Sequence, residues 1–283
     1  MQQLKAIVLK EWQTQKNSFL MPFWVLSGIY GIGLISLIYG SIRFGLPTLV
    51  TASYNDPNFA EAIWTFHYGA ATAIAWLCIL TTFGMSDSTL NSDHIKKCEI
   101  FHLAQPISLI KILSAKALFA VGGIFVQYLV LATVNCVVLS VISGILGIPS
   151  LSLGLNAVLN NIPYVISGLI LITPLVWFAN SVFRKLGAMK AGIFLAVFEV
   201  IRGLFSLSWD ISLYSPLGFI NRVLFKPFNV ASEHVLVSMD FSKVASNMAG
   251  WRWDYTWEHL AWLMVNVLLI IASYHIYKRR NIY

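Results

Sequence analysis

Two opposite charges stand three residues apart in a strongly apolar run, Glu199 and Arg202 in "VFEVIRGLF". An ionisable side chain in hydrocarbon is costly, so it must face protein or water, or find a partner. Positions i and i+3 share a helix face, so the two can neutralise each other. The functional reading is a polar lining of a transport path or a gating contact. The plainer reading is a self-neutralising pair packed against a neighbouring helix. A proton relay would need more than one lone carboxylate. The other polar residues in apolar runs are Gln127, Asn135, Asn180 and Asn266, and they form no recognisable nucleophile and base.

Other chemistry is thinly supplied. A phosphate-cradling P-loop needs a Gly-Lys pair, and the chain has none, so it carries no Walker-type ATPase of its own. HExxH, GxSxG and GxGxxG with an acidic ribose ligand are also missing. The three cysteines, Cys78, Cys98 and Cys136, fit neither a disulfide framework nor a zinc site. His234, Met239 and Met248 match no metal-ligand spacing. The expectation is a protein with no catalysis and no cofactor of its own.

The elements that must position these residues are membrane helices. The 283 residues are 58% hydrophobic and 11% charged, against about 25% charged in soluble domains. The net charge of +7 fits basic inner loops better than nucleic-acid binding. Spans are expected near 21–41, 68–86, 117–143, 162–183, 189–208 and 259–277, each close to the roughly 20 residues that cross a bilayer. The third helix is free to begin as early as Leu109. Pro174 falls inside the fourth span and should kink it, as a hinge or as a static bend. Gly122 and Gly123 in the third span allow close packing, although no GxxxG is present there.

Lys and Arg counts set the orientation. Residues 1–20, 87–116, 184–190 and 278–283 hold 13 basic residues, and the intervening loops hold 5. Both termini should therefore lie inside. Residues 1–20 lack the layout of a secretory signal. Leu4, Ile7, Val8 and Trp12 follow one helical face, interrupted by Glu11, which predicts an amphipathic helix lying in the membrane interface with Trp12 at headgroup depth. The outer loop 209–258 carries Trp209, Trp251, Trp253, Trp257, Tyr214 and Tyr255, as short helices at the outer interface would. The expected fold is all-α and integral to the membrane, one transmembrane domain over 1–283 with six spans and no internal repeat.

The inner loop "SDHIKKCEIFHLAQPISLIKILSAK" concentrates charge between two apolar runs. Pro106 ends a short element, and Ser108 can cap a new helix from Leu109. On the residues alone this is a topology-enforcing basic loop or a handle for a partner. Its pattern resembles the permease subunits of type-two ABC exporters, in which Glu-Ψ-Leu-Leu-x-x-Pro-Ψ-Ser/Thr (Ψ apolar) follows the second span and a lysine lies about ten residues beyond the proline. Glu99, Ile100, Leu103, Pro106, Ser108 and Lys116 match those positions. Lys97-Cys98 stands where the family usually has Gly-Thr, and Phe101-His102 replaces Leu-Leu character. "VLKEWQTQKNSF" resembles the family's N-terminal element, with Lys10 and Glu11 at its Lys-Glu pair, and "FRKLGAMKAG" is similar to its loop between spans four and five.

That resemblance implies a membrane subunit of an ATP-driven exporter in the plasma (inner) membrane. It implies a second permease chain, identical or a paralogue, and cytoplasmic ATPase subunits that hold the ATP. Residues 87–108 would be the coupling segment, with Lys10, Glu11, Lys96, Lys97, Glu99, Ile100, Phe101, Leu103 and Pro106 at the ATPase contact. The rival expectation is a stand-alone secondary transporter or channel with Glu199 and Arg202 in its pathway. A lipid-acting membrane enzyme is a third and weaker one. The substrate is not encoded in any motif.

Overall fold

A computed structural model describes residues 2–44, 57–95, 108–145, 150–183, 187–209 and 257–280, together with Ser215 and Gly218. The helices are α1 (Gln2–Phe44), α2 (Pro57–Ile95), α3 (Leu109–Ala117), α4 (Ile124–Ile145), α5 (Leu151–Phe183), α6 (Gly187–Trp209) and α7 (Trp257–Arg280). A π-helical turn, Leu118–Gly123, joins α3 to α4 without a break, so residues 109–145 form one rod. Strands are absent among the described residues.

Among the described residues, four stretches are long and apolar enough to cross a membrane: Lys5–Ser36, Ile63–Thr89, Ile110–Gly144 and Leu151–Phe183. The chain therefore has the build of a multi-pass, all-helical membrane protein. The expected spans 189–208 and 259–277 fall within α6 and α7. The 43 residues of α1 extend about 65 Å at 1.5 Å per residue, twice the roughly 30 Å of hydrocarbon. Helices of this length carry their ends beyond any bilayer they cross.

α2 and α5 make the broadest contact and form the central pair, with α4 packed on both. α1 lies along α2 and the α3–α4 rod, and α6 and α7 lean on α5. The core joins Ala71, Ile74, Ala75, Cys78 and Ile79 of α2, Ile124, Tyr128 and Ala132 of α4, and Val158, Val165 and Leu169 of α5. Among lipids there is little hydrophobic drive between helices, so small residues and interhelical hydrogen bonds carry association. Ala71, Ala75 and Cys78 supply the first. The second comes from Asn161 Nδ2 donating to Thr72 Oγ1 (2.6 Å), Trp64 Nε1 to Asn156 Oδ1 (3.1 Å) and Ser86 against Thr173 (3.4 Å). The outer faces are apolar, with Trp24, Ile32, Phe194, Val200, Met264 and Leu268 exposed. Water would penalise such a surface, and acyl chains suit it.

Glycine is demanded where helices meet most closely. A Cβ on Gly154 of α5 would stand 2.6 Å from Cys136 Sγ and 2.8 Å from His67 Nδ1. One on Gly187, at the start of α6, would stand 2.6 Å from the Asn180 backbone.

Two local expectations change. The N-terminal 20 residues do not form a separate element: α1 runs unbroken through the expected boundary, with Pro22 inside it. Its inward face is Ile7, Glu11 and Gln15, while Trp12 is turned outward with its ring edge-on to Phe19. Glu11 thus shares a buried face with Ile7 of the expected stripe, from which Trp12 turns away. Ser108 does occupy the N-cap of α3, but its hydroxyl makes no cap bond; its carbonyl accepts from the Lys111 and Ile112 amides at 2.9 and 3.3 Å. Pro174 is buried within α5, which continues through it. Of the outer segment 209–258, Trp209 ends α6 and Trp257 opens α7; between them only Ser215 and Gly218 belong to the described residues.

Candidate functional site

Three helices converge on one buried ion pair at the end of the bundle that carries the start of α1 and the end of α2. In α1, residues 7, 11 and 15 recur every four positions and so lie one above another on one face. Ile7 packs on Ile112 and Ala115 of α3. One turn on, Glu11 Oε1 lies 3.3 Å from Lys116 Nζ, and both side chains are 2% exposed. Gln15 Nε2 donates to the other carboxylate oxygen, Glu11 Oε2, at 2.8 Å. Lys116 Nζ also donates to the carbonyl of Thr89 in α2. Thr89 turns its own hydroxyl onto the Ser86 carbonyl at 2.9 Å.

Charges this deeply buried are tolerated only when paired and hydrogen-bonded. Here each has a charged partner and at least one further hydrogen bond. The site holds no nucleophile poised on a base, and no group of three or more metal-ligating side chains occurs among the described residues. What the arrangement can do is mechanical. It ties α1, α2 and α3 at one point, next to where α2 ends at Ile95 and α3 begins at Leu109.

Of the residues singled out from the sequence, Glu11 is thus placed in the node. Lys10 is half-buried on the neighbouring face of α1, its carbonyl accepting from Thr14 Oγ1 at 2.7 Å. Lys96, Lys97, Glu99, Ile100, Phe101, Leu103 and Pro106 lie outside the described residues. Lys116 was matched only as a motif position, and Gln15 and Thr89 carried no signal of their own. The available clue was symmetrical: one acid and one base, each intruding on an apolar helical face.

Glu199 and Arg202 make the contact their spacing allows, Arg202 Nε to Glu199 Oε2 at 2.6 Å, with Arg202 31% and Glu199 18% exposed. Ser215 donates its hydroxyl to the second Glu199 oxygen. The pair neutralises itself on one helix.

A third polar cluster was not anticipated. His67 Nε2 is 3.3 Å from Ser150 Oγ, which is 2.5 Å from Ser143 Oγ. A serine beside a histidine is a nucleophile–base arrangement in outline. His67 and Ser150 are 3% and 1% exposed, so the cluster is sealed and acts as a tie between α2, the end of α4 and the start of α5. Comparison with protein-family models, curated proteins and solved structures finds no match to this chain.

Proposed function

We propose that this chain is the membrane subunit of an ATP-driven exporter of the ABC type, with six spans, both termini inside, and no catalysis of its own. Separate cytoplasmic ATPase subunits and a second permease chain would complete it, in the plasma (inner) membrane. The observation that carries the reading is the Glu11–Lys116 pair at 3.3 Å. Glu11 matches the acid of the family's N-terminal Lys-Glu pair, and Lys116 matches the lysine beyond the motif proline. The two positions are 105 residues apart in sequence and lie in contact. The node braces both helices that flank residues 96–108. A segment pushed by an ATPase needs a stiff root if its motion is to reach the spans rather than dissipate locally.

The rival reading, a secondary transporter working through Glu199 and Arg202, gains less. Their charges are already satisfied within one helix turn, with Ser215 as an additional donor.

The test is affinity purification of the tagged protein from its native membrane, paired with charge reversals at Lys96, Lys97 and Glu99. The expected result is recovery of an ATPase subunit bearing GxxxxGK[ST], lost in the reversal variants. No ATPase in the wild-type eluate, or transport that survives ATP depletion and collapses with an ionophore, overturns the proposal.

A further inference from the structure

Along the 109–145 rod, burial recurs every four residues: Ile112, Lys116, Ala120, Ile124, Tyr128, Ala132 and Cys136 are all buried. An α-helix turns about 100° per residue, so each four-residue step overshoots a full turn by about 40°. Over six such steps an uninterrupted helix would carry the stripe about 240° around its axis. Part of that drift is used, because the rod faces α1 at its foot and α5 at its top. Tyr128 OH reaches the Val158 carbonyl (3.4 Å), and Cys136 lies against Gly154.

Yet the rod never leaves α1. Ile112 packs on Ile7, Lys116 pairs with Glu11, and Phe119 stacks on Phe19 at 6.1 Å. Gln127 donates its amide to the Phe19 carbonyl, and Tyr30 donates to Asn135 Oδ1. Between Lys116 at its foot and Gln127 above, the rod is not wound as α-helix throughout. A π turn is the local form that absorbs one extra residue, and one lies between the two sets of contacts, at Leu118–Gly123.

We propose that the π turn is a register joint. It lets a single rod aim Lys116 at Glu11 and Thr89 below, while aiming Gln127 and Asn135 at α1 above. The wide turn lies against α1: a Cβ on Gly123 would be 3.4 Å from the Phe19 ring. Rewinding the turn as α-helix rotates the foot against the upper rod by about 100°, which withdraws Lys116 from its partners. Use of that rotation in ATP-driven work rests on the function proposed above. The register itself does not.

The experiment deletes Gly122 in the full-length protein, with Cys78, Cys98 and Cys136 first replaced by alanine. Two reporters are installed separately: Ile7→Cys with Ile112→Cys, joined by oxidation, and Tyr30→Cys with Asn135→Cys, joined by a short bis-methanethiosulfonate reagent. Both pairs cross-link in the parent and in Gly122→Ala, which keeps the residue count. In the deletion variant one pair survives and the other falls to background, because the rod can satisfy only one register. If both pairs survive the deletion, the rod needs no extra residue and the proposal is wrong. If both are lost, or if Gly122→Ala loses one, the turn holds the bundle together rather than setting its register, and the proposal is equally wrong. Failure of the exporter reading would appear in the copurification and leave these cross-links unchanged.

Discussion

Replacing one member of the Glu11–Lys116 pair should cost far more than replacing both. At 3.3 Å the attraction is about 5 kcal/mol at an effective dielectric of about 20, before the cost of burying each charge is set against it. Lys116→Met leaves a carboxylate at 2% exposure with Gln15 as its one hydrogen-bond donor from the node. Glu11→Gln leaves an ammonium held by the Thr89 carbonyl. Breaking such a pair from one side typically costs about 3–5 kcal/mol, whereas an isosteric apolar or neutral replacement of both partners is close to neutral. The double variant Glu11→Gln/Lys116→Met should therefore be more stable than either single one, with a coupling energy of at least about 2 kcal/mol. The measurement is equilibrium unfolding in mixed micelles by SDS titration, followed by far-UV circular dichroism for the four corners of the cycle. Lys16→Met, five positions away and exposed, serves as a control expected to change stability by under about 0.5 kcal/mol. Single-variant losses below about 1 kcal/mol that add within about 0.5 kcal/mol would show that the two charges do not depend on each other. The node would then be a contact without energetic weight.

The Glu199–Arg202 pair is 18–31% exposed, so Glu199→Gln should lower stability by no more than about 1 kcal/mol in the same titration; a larger loss would mean that α6 is held by this charge. Gly187→Ala places a methyl 2.6 Å from the Asn180 backbone, which cannot swing aside, and should destabilise by about 1–3 kcal/mol; an unchanged midpoint refutes the close approach of α5 and α6. Gly154→Ala should cost a similar amount, and Cys136→Ala should recover part of it, because the nearest obstacle is the Cys136 sulfur at 2.6 Å. Trp64→Phe keeps the ring stack on Tyr68 (5.0 Å) but loses the donor to Asn156, for an expected loss of about 0.6 kcal/mol, checked by the same unfolding curves.

What the sequence disclosed follows from how local each signal is. Apolar runs locate the helices because hydrocarbon forces each segment to satisfy its own backbone. Ser108 marks the start of α3 because its carbonyl opens the helical bonding that begins at Leu109. Glu199 and Arg202 are readable because the partner lies one turn away. Glu11 is the opposite case. Its neighbours in sequence make it a flaw in an apolar stripe, and the interfacial helix inferred from that stripe ended at residue 20. The ammonium of Lys116, contributed by another helix, turns the flaw into part of a buried face. The π turn was hidden for a related reason: Gly122 and Gly123 read as packing glycines, and the joint becomes visible only when both ends of the rod are seen to touch α1.

The contacts between α1 and the rod also impose a schedule. Glu11 and Lys116 are 105 positions apart, as are Tyr30 and Asn135, so the first helix is complete long before its companion has been made. At about 5–20 residues per second of synthesis, the Glu11 carboxylate waits roughly 5–20 s for its counter-ion. During that interval it must stay hydrated at the edge of the membrane, and the long first helix cannot settle to its final depth. Final seating of the amino-terminal helix is thus a late event in biogenesis, triggered by the arrival of one lysine.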